Sequence, residues 1–172
     1  MKSVFMPRLK HINLKEYPYM TTTVTIDREP IFEVAGKEYP AHFDSRDYLN
    51  PSDILLNAIL FGRNRQWYYL LSFVIMPDHM HLIVIPKDKD ISGIMKSIKG
   101  FSAKQINEVF GRRGSIWQRG FYDYILDSEE KVLSRIRYIE DNPVRKGIVT
   151  NSEDYGYSSV IYRDKTDFRI FF

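Results

Sequence analysis

At 172 residues, 44% hydrophobic and 15% aromatic, the chain has the size and composition of one folded domain and reads as globular rather than disordered. It contains no cysteine, so disulfides and thiolate metal centres are excluded, and no apolar run reaches the ~18 residues of a membrane span. The net charge of +3 is modest, no signal-peptide core opens the sequence, and the expectation is a cytoplasmic protein without a membrane anchor.

In chain order, "YMTTTVTID" (19–27) is β-branched and predicts a strand. Residues 33–49 have no clean period and predict an irregular connection. "NPSDILLNAILFGRN" (50–64) opens with capping residues and predicts a helix, and "QWYYLLSFVIM" (66–76) a strand. Past Pro77-Asp78, "HMHLIVIP" predicts a second strand, hairpin-paired with the first. "DISGIMKSIKGFSAKQINEVFG" (90–111) keeps an apolar stripe at helical spacing with Lys96, Lys99 and Lys104 largely off it. "IWQRGFYDYILD" (116–127) predicts an aromatic-rich strand. "SEEKVLSRIRYIEDNP" (128–143) predicts a helix capped by Ser128 and ended by Pro143. The order β-α-β-β-α-β-α matches an α+β, ferredoxin-like (split βαβ) architecture, an antiparallel sheet with helices on one face, followed by a C-terminal helix. A single domain over 1–172 is expected, with its core at about 19–149 and a tail at about 150–172.

The histidines of "MPDHMHLIVIP" (76–86) carry the first chemical signal. On a strand, residues i and i+2 share a face about 7 Å apart, so His79 and His81 can aim both rings at one divalent cation. Two imidazoles need a third donor. The alternative is a pair satisfied by backbone carbonyls near a strand end. His11 and His42 stand alone and are expected to be plain surface or packing residues. On the last helix, Tyr138 and Asn142 are four apart and share a face, offering a phenol beside an amide oxygen. Their alternatives are a core-edge aromatic and a helix stop.

From Lys87 to Arg119, eight Lys/Arg stand against three acids, a local +5. That stripe reads as a phosphate-binding surface or as a solvated helix face.

Four stretches in order carry a family resemblance: "MPDHMHLIVIP", "IWQRGFYDYILDSEE" (116–130), "RYIEDNPVRKGIV" (137–149) and "DYGYSSV" (154–160). Together they resemble single-tyrosine HUH transposases, most closely the REP-associated tyrosine transposases and their insertion-element relatives. The likeness runs from "PRLKHI" (7–12) through "YGYSS". It implies that His79 and His81 bind a divalent metal, Mg²⁺ or Mn²⁺, that Asn142 is the third ligand, and that Tyr138 is the nucleophile. The implied activity is a strand transferase that cuts and rejoins single-stranded, hairpin-ended DNA through a 5′-phosphotyrosine. A phenol, with a pKa of ~10, is mostly protonated at neutral pH and needs such help.

The basic stripe then becomes a DNA surface, with Lys96, Lys99, Lys104, Arg112, Arg113 and Arg119 on phosphates and Arg145 and Lys146 beyond the tyrosine. Trp117, Phe121, Tyr122 and Tyr124 are candidates to stack bases. Glu140-Asp141 departs from the expected pattern in being acidic, and "RDKTDFRIFF" (163–172) matches no motif and suggests a packing or dimerising tail. Insertion-element relatives often form homodimers that exchange the tyrosine helix, whereas REP-associated ones can act as monomers; the resemblance leaves both open. Two other readings compete: a replication-initiator type HUH nickase and a non-catalytic ferredoxin-like nucleic-acid-binding module.

Overall fold

The computed structural model describes residues 16–32 and 50–172. The connection expected over 33–49, His11 and His42 lie outside the described residues. Four strands, β1 (Tyr19–Val24), β2 (Tyr68–Met76), β3 (His79–Pro86) and β4 (Tyr122–Ile125), form one antiparallel sheet in the order β2-β3-β1-β4. The strand order and the intervening helices give the expected α+β, ferredoxin-like arrangement.

Helix α1 (Pro51–Asn64) starts at a capping box, in which Asn50 Oδ1 accepts from Ser52 and Asp53 while the Asp53 carboxylate accepts from Asn50 N–H. Helix α2 (Ile91–Phe110) is capped by Asp90 and stopped by Gly111, whose φ of +63° suits a residue without Cβ. The two helices pack on each other against the sheet face of Met80, Leu82 and Val84, where Tyr68 donates from its hydroxyl to the Ile59 carbonyl at 2.5 Å. Each large apolar side chain buried there contributes ~1.5–3 kcal/mol.

Helix α3 (Glu129–Glu140), N-capped by Ser128, packs on β2 and β3. Tyr138 meets His81 there, so α3 covers the other face, that of His79 and His81. Helices α1 and α2 thus line one face, as expected, and the separate C-terminal helix takes the other.

Two elements depart from expectation. The strand expected over 116–127 is broken: Ile116 and Gln118 pair with the end of β1, Gly120 turns at φ +78°, and only Tyr122–Ile125 joins the sheet. Pro143 also does not end the helix. Helix α3 stops at Glu140, Asp141 keeps near-helical angles, and Pro143 occupies the first turn of a short α4 (Asn142–Arg145), where its missing N–H costs little.

The chain beyond 150 covers the outer edge of β2. Ile75 and Ser159 N–H donate to Tyr157 and Phe73 carbonyls, and Asp167 N–H donates to the Leu70 carbonyl. The Asp167 carboxylate accepts from Leu70 N–H and, two-pronged, from Arg63. The tail at 163–172 is in this respect a packing element that closes a sheet edge.

Candidate active site

His79 and His81 fall on one face of β3, as period-two spacing requires, and both are buried. Their ring centroids lie 4.9 Å apart at 74°. Each ring is held through Nδ1: His79 by the Asp78 carboxylate at 2.5 Å, His81 by the Thr22 hydroxyl at 2.7 Å. Thr22 is placed there by the ladder, which sets it directly opposite His81. Anchoring through Nδ1 reserves Nε2 of each ring for a ligand.

Asp78 is held in turn by Arg28, 3.0 Å away. Burial pushes its carboxyl up, but hydrogen bonds and charge from His79 and Arg28 outweigh that and keep it below the usual range. Arg28 and the preceding Asp27 both have left-handed angles, φ +55° and +51°, costly for residues with a Cβ. Hydrogen bonds from Thr25 and Phe32 to Asp78 and Pro77 carbonyls tie this bent segment to the β2–β3 turn. Burial pushes the His81 pKa down to about 3, with His79 adding to the effect and Asp78 opposing it. His81 is thus neutral near pH 7, the form that ligates metals.

Tyr138, on the last turns of α3, presents its ring 6.1 Å from that of His81 at 62°. Asn142 is buried one turn further on, at the start of α4. The bonds Asp141 N–H to Arg137 O and Arg145 N–H to Asp141 O, both 2.9 Å, carry the helical course across the junction. Two guanidiniums lie against Tyr138, Arg145 at 5.3 Å and Arg135 at 5.7 Å from the ring centre.

Two oriented imidazoles are donors of the kind a divalent cation takes, and Asn142, four residues after Tyr138, offers an amide oxygen as the candidate third donor. Among the described residues there is no cluster of three His, Cys, Asp or Glu that could hold a metal ion. Glu140 is not part of the site. Its carboxylate faces β2 and the tail, accepting from Ser159 and Arg163 at 2.7 Å.

The expected DNA-contacting residues divide sharply. Trp117 is a core residue, stacked on Phe32 at 5.1 Å with its Nε1–H donating to Ser102, which removes it from any DNA surface. Lys99 turns back onto the Gln118 and Gly120 carbonyls, and burial lowers its pKa to about 8. Arg112 is paired with both Glu29 oxygens at 2.8 Å, and Lys104 with Glu108 at 3.8 Å. Lys96, Arg113, Arg119, Arg145 and Lys146 are exposed. The lysines of α2 belong to the layer opposite the histidines, whereas Arg145 and Lys146 lie at the end of α4, the short helix that follows the Tyr138 helix.

Four residues escaped the sequence reading. Thr22 and Arg28 act through partners 59 and 50 residues away and carry no local signal. Asp78 was visible as the neighbour of His79, and Arg135 lies three residues before Tyr138, on the same helix face.

The sequence profile of the family described as "Transposase IS200 like" matches residues 53–142. A REP-associated tyrosine transposase of Escherichia coli K12 is 29% identical over 113 residues, 64% of this chain and 65% of that protein. A Haemophilus influenzae protein assigned to the same group is 30% identical over 105 residues, 55% of this chain and 59% of its own length. The matched part thus spans less than two-thirds of either curated relative. A solved structure of a REP-associated tyrosine transposase bound to a REP hairpin shares the fold, with a TM-score of 0.64 at 22% identity over 92% of this chain and 85% of that one. No helix among the described residues is long and apolar enough to cross a membrane.

Proposed function

The chain belongs to the IS200-like transposase family, and from that premise we propose that it is a metal-dependent transferase of single-stranded DNA with Tyr138 as nucleophile. The observation that carries this reading is the seating of the Tyr138 ring against His81, with both imidazoles anchored through Nδ1 on the same sheet face. His79, His81 and Asn142 would hold a divalent cation, Mg²⁺ or Mn²⁺. When bound, that cation neutralises charge on the scissile phosphate and aligns it for in-line displacement.

The Tyr138 oxygen attacks phosphorus, the P–O3′ bond breaks, and the phenol proton ends on the departing 3′-oxygen. The products are a 5′-phosphotyrosine and a free 3′-hydroxyl, and reversal from a second 3′-hydroxyl joins strands without an energy source. Arg145 lies against the nucleophile's ring, and it and the exposed Lys146 that follows it hold backbone phosphates. A hairpin-bearing strand is the substrate of choice, supported by the REP hairpin bound to the related protein of shared fold.

The test is covalent trapping. End-labelled hairpin-bearing DNA is incubated with protein and Mn²⁺, then denatured, with Tyr138→Phe, His79→Ala and EDTA in parallel. We expect an adduct in wild type alone, with Tyr138→Phe still binding DNA within about twofold. DNA binding with no adduct under any metal, across several hairpin sequences, would point instead to a non-catalytic binding module.

A further inference from the structure

The ring of Tyr138 does not stand alone on its face. A continuous stack runs from β4 across α3 to α4: Tyr124, the Arg135 guanidinium, the Tyr138 ring, the Arg145 guanidinium. The Arg135 carbon lies 5.6 Å from the Tyr124 ring centre and 5.7 Å from that of Tyr138, and Arg145 is 5.3 Å from Tyr138. The far end is fixed, since Tyr124 pairs with Met20 in the β1–β4 ladder and its hydroxyl lies 2.8 Å from the Met20 sulfur.

Four arginines among the described residues are committed to acids: Arg28 to Asp78, Arg63 to Asp167, Arg112 to Glu29 and Arg163 to Glu140. Arg135, although exposed, has no carboxylate partner among the described residues. Ring contact on both sides is what holds it. A partly exposed phenol on a helix otherwise rotates among side-chain rotamers, and only a narrow range of orientations permits in-line attack.

The geometry points to Arg135 as a positioning residue for Tyr138: clasped between Tyr124 and Tyr138, it transmits the rigidity of the sheet to the attacking ring. This rests on the reading of Tyr138 as the nucleophile. Arg135 touches neither metal ligand nor DNA in this role, so its loss slows the covalent step and leaves DNA affinity alone.

The experiment measures single-turnover adduct formation by the full chain with Mn²⁺ and hairpin-bearing DNA. The rate at saturation is separated from the half-saturating DNA concentration. Arg135→Gln is expected to lower the saturated rate about fivefold, the size of one cation–π contact, with half-saturation unchanged within about twofold. Tyr124→Leu is expected to do the same, and the double variant to be no worse than the more severe single one, because both break one stack. Arg135→Lys recovers most of the rate. Wild-type rates in both single variants, fully additive losses, or a change confined to half-saturation would each overturn the proposal.

A second readout does not depend on activity. In protein labelled with 3-fluorotyrosine, the ¹⁹F signal assigned to position 138 by its loss in Tyr138→Phe is expected to move toward the free-residue value in Arg135→Gln and Tyr124→Leu. An unmoved signal contradicts the clasp. If wild type makes no adduct while that signal still shifts in both variants, it is the nucleophile assignment that fails and the clasp that stands.

Discussion

The two histidines differ in how they are held, and each holder can be tested separately. Asp78 offers a carboxylate to His79 and Thr22 a neutral hydroxyl to His81. Groups that orient metal-binding imidazoles typically change metal affinity by about 10–100-fold when removed. Asp78→Ala and Thr22→Val are therefore each expected to weaken Mn²⁺ binding at least about tenfold by calorimetry, with little change in the folded spectrum. Unchanged affinity in both would mean that the cation is not bound by these rings. At this scale the sequence spoke clearly where the signal was local: the H-x-H spacing put both rings on one face, and the Tyr138 motif singled out the phenol. It was silent on Thr22, because only the β1–β3 register, 59 residues apart, brings that hydroxyl to His81. Arg112 and Lys99 looked like phosphate ligands for the same reason: Glu29 and the loop carbonyls that occupy them are invisible without the fold.

Elements with strong periodicity and caps, such as α1, α2 and the β2–β3 hairpin, were legible nearly to the residue. The misjudged boundaries have identifiable causes. Gly120 at positive φ splits what composition reads as one long strand, and Pro143 is accommodated in the first turn of a new helix rather than ending the old one. The tail had no motif because its work is done by backbone pairing along β2 and by one side chain. Asp167 accepts from Leu70 N–H and from Arg63 while almost fully buried. Asp167→Ala removes these charge-assisted bonds and leaves a backbone donor at the sheet edge. It should lower unfolding free energy by about 2–3 kcal/mol in a urea titration. A loss below about 0.5 kcal/mol would mean that the Asp167 side chain contributes nothing to the sheet edge, as for an ordinary surface change.

Across the whole molecule, the local +5 of residues 87–119 overstates the surface that a DNA strand can use. Several of its charges are paired or buried, and α2 lies in the layer away from the histidines. Arg145 and Lys146, outside that stripe, follow the candidate nucleophile in the chain. Arg145→Gln and Lys146→Gln should each weaken single-strand binding and reduce the log–log salt slope by about 0.7, one phosphate contact apiece. Arg112→Gln should leave both unchanged within error. The reverse pattern would place the strand on α2 and away from the proposed site.

The most direct measurement is peptide mapping by mass spectrometry of the trapped protein–DNA adduct after nuclease trimming. The account predicts a nucleotide remnant on one residue, Tyr138, in the peptide that runs into Asn142-Pro143, and none when EDTA is present. A remnant on Tyr122 or Tyr124, the two exposed phenols of β4, would contradict it and move the nucleophile from the helix to the sheet edge.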